Sequence, residues 1–262
     1  MLKPYSVSFI GSGNLAWHLA VALDNTEFAV HEVFSNTPKH AAALVERLYQ
    51  ATAKKTLDFS DSTSRIFVIA VTDDNIESVA QKIILPNNAI LVHTSGSQPL
   101  DVLGDTTTKS VGIFYPLQTF TKGKKIDFAD VPVLIESENR ETEKVLVSMA
   151  KAISKKVLKV SSADRQALHI AAVFASNFTN HMLTLAKEIL DTHALKFDLL
   201  KPLIAETLNK SLELGPEKSQ TGPAKRGDLE ILDKHIEFLQ DDPQIAEIYK
   251  LISQHIIDSY NS

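Results

Sequence analysis

Gly11-Ser12-Gly13-Asn14-Leu15-Ala16 follows the β-rich run Val7 to Ile10 and opens a helical pattern whose apolar positions include Leu15, Leu19 and Leu23. Two glycines and a small residue at these intervals let a chain turn tightly, bring backbone against a phosphate and pack the helix close to its strand. Free N–H groups and the positive helix end favour an anion there. In this strand-turn-helix setting the motif predicts dinucleotide binding, with Gly11, Ser12, Gly13, Asn14 and Leu15 around the pyrophosphate.

The next β-rich run, Val30 to Phe34, bears on which dinucleotide. Glu32 stands 21 residues after Gly11, near the spacing of a ribose-binding acid. Val33 and Phe34 carry the run past it, so Glu32 reads as a solvated strand residue. The run ends at Ser35, followed by Asn36, Thr37, Pro38, Lys39 and His40, without a carboxylate. Such an end tolerates a 2′-phosphate at Ser35, Asn36 and Thr37, so NADP is expected, with NAD the alternative.

Three later runs end in polar residues: Val71-Thr72-Asp73-Asp74-Asn75, His93-Thr94-Ser95-Gly96-Ser97 and Tyr115-Pro116-Leu117-Gln118-Thr119-Phe120. Ligands of open α/β sheets lie beyond the carboxyl ends of the strands, which places Val71, Thr72, Thr94, Ser95 and Gly96 beside the cofactor. Gly96 would let backbone approach the nicotinamide. Asp73 or Asp74 reads as a cap for the helix starting near Asn75. Tyr115 either packs as a rigid floor or supplies an acid.

Farther on, Ala167 to Leu185 is apolar nearly all round and reads as a buried central helix,. At about 100° per residue, its polar exceptions His169, Ser176, Asn177, Asn180 and Thr184 share one face. Buried amides and an imidazole need hydrogen-bond partners, so that face meets either a ligand or a satisfied structural network. His169 is the leading candidate for a proton donor and Tyr115 the second, with Asn177 and Asn180 on the same face as His169. Arg226, in Thr221-Gly222-Pro223-Ala224-Lys225-Arg226-Gly227-Asp228, is the cation suited to an anionic group, with Asp228 as a helix cap,. His169 and His181 lie on different faces, and no metal site is expected.

The elements that must position these groups fall into two textures. Short β-rich runs alternate with helical ones through Val157 to Val160, which implies βαβ crossovers and a mostly parallel sheet. After Val160 only helical spacing remains, with Leu199 to Glu213, Leu229 to Leu239 and Ile245 to Ser259 as helices after the central one. The expected fold class is α/β over residues 1–160 followed by an all-α domain over residues 161–262.

The chain has 262 residues, 44% hydrophobic and 23% charged, a size for one to two domains and a composition unlike disorder,. A formal net charge of −5 argues against nucleic-acid binding, and no apolar run approaches membrane-spanning length,. Absence of cysteine excludes disulfides, thiolate metal sites and cysteine nucleophiles,. Met1-Leu2-Lys3-Pro4 leads straight into the first apolar run, leaving no room for a signal peptide, so a cytoplasmic protein is expected,. Of the nine glycines, Gly104, Gly112, Gly123 and Gly215 read as ordinary punctuation.

Gly11 to Ala16, His93 to Ser97, Pro116 to Phe120 and Thr221 to Asp228, in this order, resemble the family of Rossmann-like proteins with a C-terminal DUF2520 domain. That family is similar to the group of 6-phosphogluconate dehydrogenase, pyrroline-5-carboxylate reductase and F420-dependent NADP reductases. The resemblance implies an NADP oxidoreductase whose helical domain dimerises and covers the nicotinamide, with His169, Asn177, Asn180 and Arg226 meeting a small-molecule substrate. Several relatives carry histidine where this chain has Tyr115. The lysine and asparagine pair of the group's hydroxyacid dehydrogenases is missing here. Two functions compete: hydride transfer to or from a small carbonyl or imine compound, and a non-catalytic dinucleotide sensor or scaffold.

Overall fold

The computed structural model describes residues 5 to 260, and the Met1 to Pro4 stretch that bears on a leader lies outside them. The first elements are β1 (Tyr5–Ile10), α1 (Asn14–Asp24), β2 (Phe28–Phe34), α2 (Pro38–Val45), β3 (Thr52–Lys54), β4 (Ile66–Ile69), α3 (Ile76–Lys82) and β5 (Ile90–His93). They continue with β6 (Val111–Pro116), β7 (Val133–Glu136), α4 (Arg140–Ile153) and β8 (Val157–Lys159). One sheet of eight strands results, ordered β3-β2-β1-β4-β5-β6-β7-β8. All neighbours are parallel except β6 and β7. The expected α/β class holds, and the strand order reverses between β1 and β4, where open sheets of this kind bind ligands.

Alternating side chains build both layers of the core. On one face Val7, Phe9, Val30, Ile66, Val68 and Val92 pack with Leu19 and Leu23 of α1 and Leu146 and Met149 of α4. On the other, Phe67, Ile69 and Leu91 pack with Phe59 and with Ile76 and Ala80 of α3. Gly112 is therefore more than punctuation: a Cβ there would lie 2.5 Å from Leu146 Cδ1 and 3.0 Å from the Glu136 carbonyl oxygen. β3 escapes the sequence reading because its residues, Thr-Ala-Lys, pair on one edge only and carry no apolar alternation.

The last strand ends at Lys159, and α5 (Ser162–Ala172) follows, capped by Ser161 Oγ, which accepts from the Asp164 N–H at 3.1 Å. A π-helical run, Val173–Phe178, joins it to α6 (Thr179–Thr192). The chain divides into two compact units within that run, Met1–Ser176 and Asn177–Ser262. Besides α6, the second unit contains α7 (Lys201–Leu214), α8 (Pro216–Ser219), α9 (Pro223–Arg226), α10 (Leu229–Phe238) and α11 (Pro243–Tyr260).

The expectation of a buried central helix fails. No residue from Ala167 to Leu185 is buried, and Leu168 and Ile170 are exposed. Apolar periodicity reports a need for burial, and a single copy of the chain does not meet that need along this helix.

Candidate functional site

The glycine turn brings three strand ends together. Gly11 has φ +114°, a conformation open to glycine, and its N–H donates to the Phe34 carbonyl at 2.8 Å,. A Cβ at Gly11 would lie 2.2 Å from the Ala70 carbonyl oxygen, so β1 and the residue after β4 approach as closely as backbone permits. α1 then starts from Gly13 with no side-chain cap and no acidic residue in its first turn. Its leading N–H groups are thus left to an outside acceptor, and the space where a Gly13 Cβ would project is open,. Ser12 is buried, Leu15 half-buried and Asn14 exposed. An uncapped helix end without a competing carboxylate fits a phosphate group.

At the end of β2, Ser35 is half-buried and Asn36, Thr37, Lys39 and His40 are exposed, with Pro38 as the first residue of α2. Residues 35–40 themselves carry no carboxylate. Glu32, however, is not a solvated strand residue: its side chain is 14% exposed and ion-paired with Lys54 at 3.3 Å. It also accepts from Ser8 Oγ at 2.8 Å and from Ser62 Oγ. The outward-facing position is covered by the residues before β4, a long-range contact that strand spacing does not reveal.

After β5 the loop is fixed from within. The His93 ring is buried and accepts the Ser95 N–H at Nδ1, 3.2 Å away, while Nε2 donates to the Pro99 carbonyl at 3.2 Å. Burial is the main cause holding its pKa down to about 4, so the ring is neutral and its tautomer follows from the two bonds,. Thr94 Oγ1 donates to the Ile69 carbonyl at 3.3 Å, and Thr94 and Ser95 are buried. Asp73 makes no cap bond; its carboxylate accepts from Ser97 Oγ and ties the end of β4 to this loop. Thr72 Oγ1 is occupied by the Asn75 side-chain amide at 2.7 Å. Val71 lies with its Cγ1 3.2 Å from the position of a Gly11 Cβ.

Tyr115 and His169 meet above that loop. Tyr115 Oη lies 3.0 Å from His169 Nδ1, with the rings edge to face at 5.9 Å between centroids. Burial raises the Tyr115 phenol above its ordinary pKa, with the Arg165 charge acting in the opposite sense. The packing reading of Tyr115 is thereby incomplete, because its hydroxyl holds the imidazole. Gly96 explains the closeness: a Cβ there would fall 2.4 Å from His169 Nδ1 and 2.7 Å from Tyr115 Cζ. Its missing side chain makes room for these two rings, where the sequence suggested room for a ligand.

Arg165, one turn before His169 on α5, is the functional candidate that the sequence analysis missed. It is 1% exposed. Nη1 donates to the Ser95 and Gly96 carbonyls at 3.2 and 2.7 Å, and Nε donates to Glu136 at 3.2 Å. The available signal was a lone cation at the first turns of an apolar helix, four residues before the histidine.

Asn177 and Asn180 are exposed. The 100° spacing that aligned them with His169 does not hold through a π-helical run, where i to i+5 bonds widen the turn,. Arg226 in the second unit pairs with Asp228, 2.7 Å from Nη2 and 2.9 Å from Nε. Asp228 occupies the cap position of α10, but makes no cap bond because its carboxylate is turned to that arginine. Among the described residues no group of three His, Cys, Asp or Glu side chains could hold a metal ion, and no helix is long and apolar enough to cross a membrane.

Comparison with known proteins adds a family and a set of similar folds. Residues 131–256 match the family described as "Domain of unknown function (DUF2520)". A Bacteroides fragilis protein described as a "putative NADP oxidoreductase" is 35% identical, with a TM-score of 0.89 over 98% of this chain and 100% of that one. The Thermotoga maritima protein TM1727 is 22% identical, with a TM-score of 0.71 over 98% and 100% of the two chains. An imine reductase from Streptomyces aurantiacus shares the fold at 16% identity and a TM-score of 0.63, over 98% of this chain and 93% of that one. A search of the curated proteins finds no match.

Proposed function

This chain belongs to the family of Rossmann-like proteins with a C-terminal DUF2520 domain, and from that premise we propose that it is an NADP-dependent oxidoreductase of a small carbonyl or imine compound. The observation that carries this reading is the Tyr115–His169 pair seated on Gly96, at the same row of strand ends as the Gly11 turn. The 35%-identical relative, described as an NADP oxidoreductase with the qualifier quoted above, supports it.

In this reading Gly11 to Leu15 hold the pyrophosphate, Ser35 to Thr37 the adenosine phosphate, and Val71, Thr72 and Thr94 to Gly96 the nicotinamide ribose. A bound nicotinamide supplies the hydride, so the protein needs mainly orientation and one proton donor. Burial keeps the Tyr115 phenol protonated, and it donates to His169 Nδ1. The neutral imidazole then carries its hydrogen on Nε2. In the reductive direction Tyr115 Oη passes its hydrogen to Nδ1 and takes a proton from solvent, the resulting imidazolium releases its Nε2 proton to the substrate oxygen or nitrogen, and the Nδ1–H that remains turns to Tyr115 Oη,.

The same reading makes the protein a homodimer. Leu208 and Leu212 of α7, one turn apart on one face, are 47% and 86% exposed, an apolar pair of the kind that marks association,.

Calorimetric titration with NADPH and NADH, followed by a carbonyl and imine panel monitored by NADPH fluorescence, tests the assignment. NADPH binds more tightly than NADH, and at least one compound is reduced. His169→Ala abolishes turnover and leaves NADPH affinity within about twofold; undiminished turnover removes His169 from the chemistry. Tight binding without NADPH oxidation across the panel supports a sensor or scaffold, and binding of neither nucleotide ends both readings.

A further inference from the structure

Arg165 reaches from α5 to two strands. Its guanidinium takes the carbonyls of Ser95 and Gly96 after β5 and the carboxylate of Glu136 at the end of β7. Ser162 Oγ supports the same cluster, donating to Glu136 and standing 3.4 Å from Arg165 Nη2. A fully buried arginine is costly to desolvate unless every strong donor is met, and this one is met by a carboxylate and two carbonyls.

The placement has two consequences for the loop. A trans peptide directs its N–H opposite to its C=O. With the Ser95 carbonyl drawn to Arg165, the Gly96 N–H therefore faces away from the guanidinium, and no acceptor among the described residues meets it. Gly96 is buried, and a buried backbone donor without a partner is uncommon enough to point to a ligand. On the other side, the Gly96 Cα lies against both rings of the Tyr115–His169 pair. Arg165 and His169 are thus successive turns of one helix gripping one glycine, the first by its carbonyl and the second by its α-carbon.

We propose that Arg165 is the positioning residue of this site: by holding the Ser95 and Gly96 carbonyls it aims the Gly96 N–H at a hydrogen-bond acceptor on the nicotinamide half of the cofactor and fixes the ring of His169. The proposal rests on the NADP reading for the identity of the ligand, whereas its second half concerns this chain alone.

Two measurements test it. The first compares the affinity of the wild type, Arg165→Met and Arg165→Lys for NADPH and for adenosine 2′,5′-bisphosphate, a fragment that lacks both the nicotinamide and its ribose. Arg165→Met weakens NADPH by about tenfold, the worth of one well-placed hydrogen bond, and leaves the fragment within about twofold. Arg165→Lys falls between. Equal weakening of both ligands, or of neither, overturns the positioning role.

The second measurement is nitrogen NMR of the His169 ring, assigned with His169→Asn, in protein without nucleotide. The wild type shows hydrogen on Nε2, and Arg165→Met shows a mixture of tautomers; an unchanged spectrum overturns the proposal. Should Arg165→Met fail to fold because Glu136 is left unpaired, Arg165→Met with Glu136→Gln serves in both measurements. Failure of the wild type to bind either nucleotide sinks the NADP reading and the aimed N–H, while the His169 spectrum still decides whether Arg165 orders the ring.

Discussion

The unit from Met1 to Ser176 and the unit from Asn177 to Ser262 use apolar residues in opposite ways. In the first, β4 and β5 are buried along their whole length, and α1 and α4 close one face of the sheet. In the second, α6 and α7 bury no residue, and Leu203, Leu212 and Leu251 stand 63%, 86% and 71% exposed. A sheet meets its own needs within one chain, because each strand is buried by its neighbours and by crossover helices. Helices with apolar stripes facing outward meet theirs only against something further.

Gly11→Val attacks the first unit at its tightest point. The side chain would meet the Ala70 carbonyl and require a positive φ of a β-branched residue,. A loss of about 4 kcal/mol or more is expected, from strain and overpacking together, read as a shift of the urea unfolding midpoint. A near-neutral result would mean that the β1 and β4 ends are not held this close.

A paired experiment breaks or sharpens the contrast itself. Phe67→Ala, at a fully buried ring, lowers stability by about 3 to 5 kcal/mol at every protein concentration,. Leu212→Ser costs no more than about 0.5 kcal/mol in dilute protein, in keeping with an exposed site. Under the homodimer proposal its cost grows with concentration, as sedimentation and unfolding followed over a concentration series would show. A Leu212→Ser effect that never changes with concentration removes α7 from a dimer interface.

The first unit also carries a pH dependence that the second does not share through this residue. His93 has a folded pKa of about 4 against an ordinary 6.5, chiefly through burial. Between these values the unfolded chain binds the proton more readily, so stability is full above pH 6.5 and falls as pH drops toward 4. The full loss is about 3 kcal/mol, and half or less of it is reached by pH 5.5. His93→Gln removes this slope from the stability profile; a retained slope assigns the proton uptake to other groups.

Much of the scaffold could be read from the residues. The runs ending in Ile10, Phe34 and His93 became strands with those ends, and the Gly11 turn opens α1 as expected. Period-two and period-3.6 patterns carry such elements because each position reports its own side of the chain. Asp73, Glu32 and Gly96 were legible as residue types but not as partners. Asp73 joins Ser97, Glu32 joins Lys54, and Gly96 is vacated for Tyr115 and His169.

The sequence by itself determined the α/β class, the phosphate-ready turn and the absence of a carboxylate at the end of β2, since each depends on residues adjacent in the chain. Only the tertiary structure decided that His169 meets Tyr115 across 54 positions and that Arg165 reaches Gly96 across 69. Local spacing has no term for contacts that a sheet creates by laying distant strands side by side. For the same reason the central helix looked buried in sequence. Its pattern states a demand for a partner, and only the fold shows whether one chain supplies it.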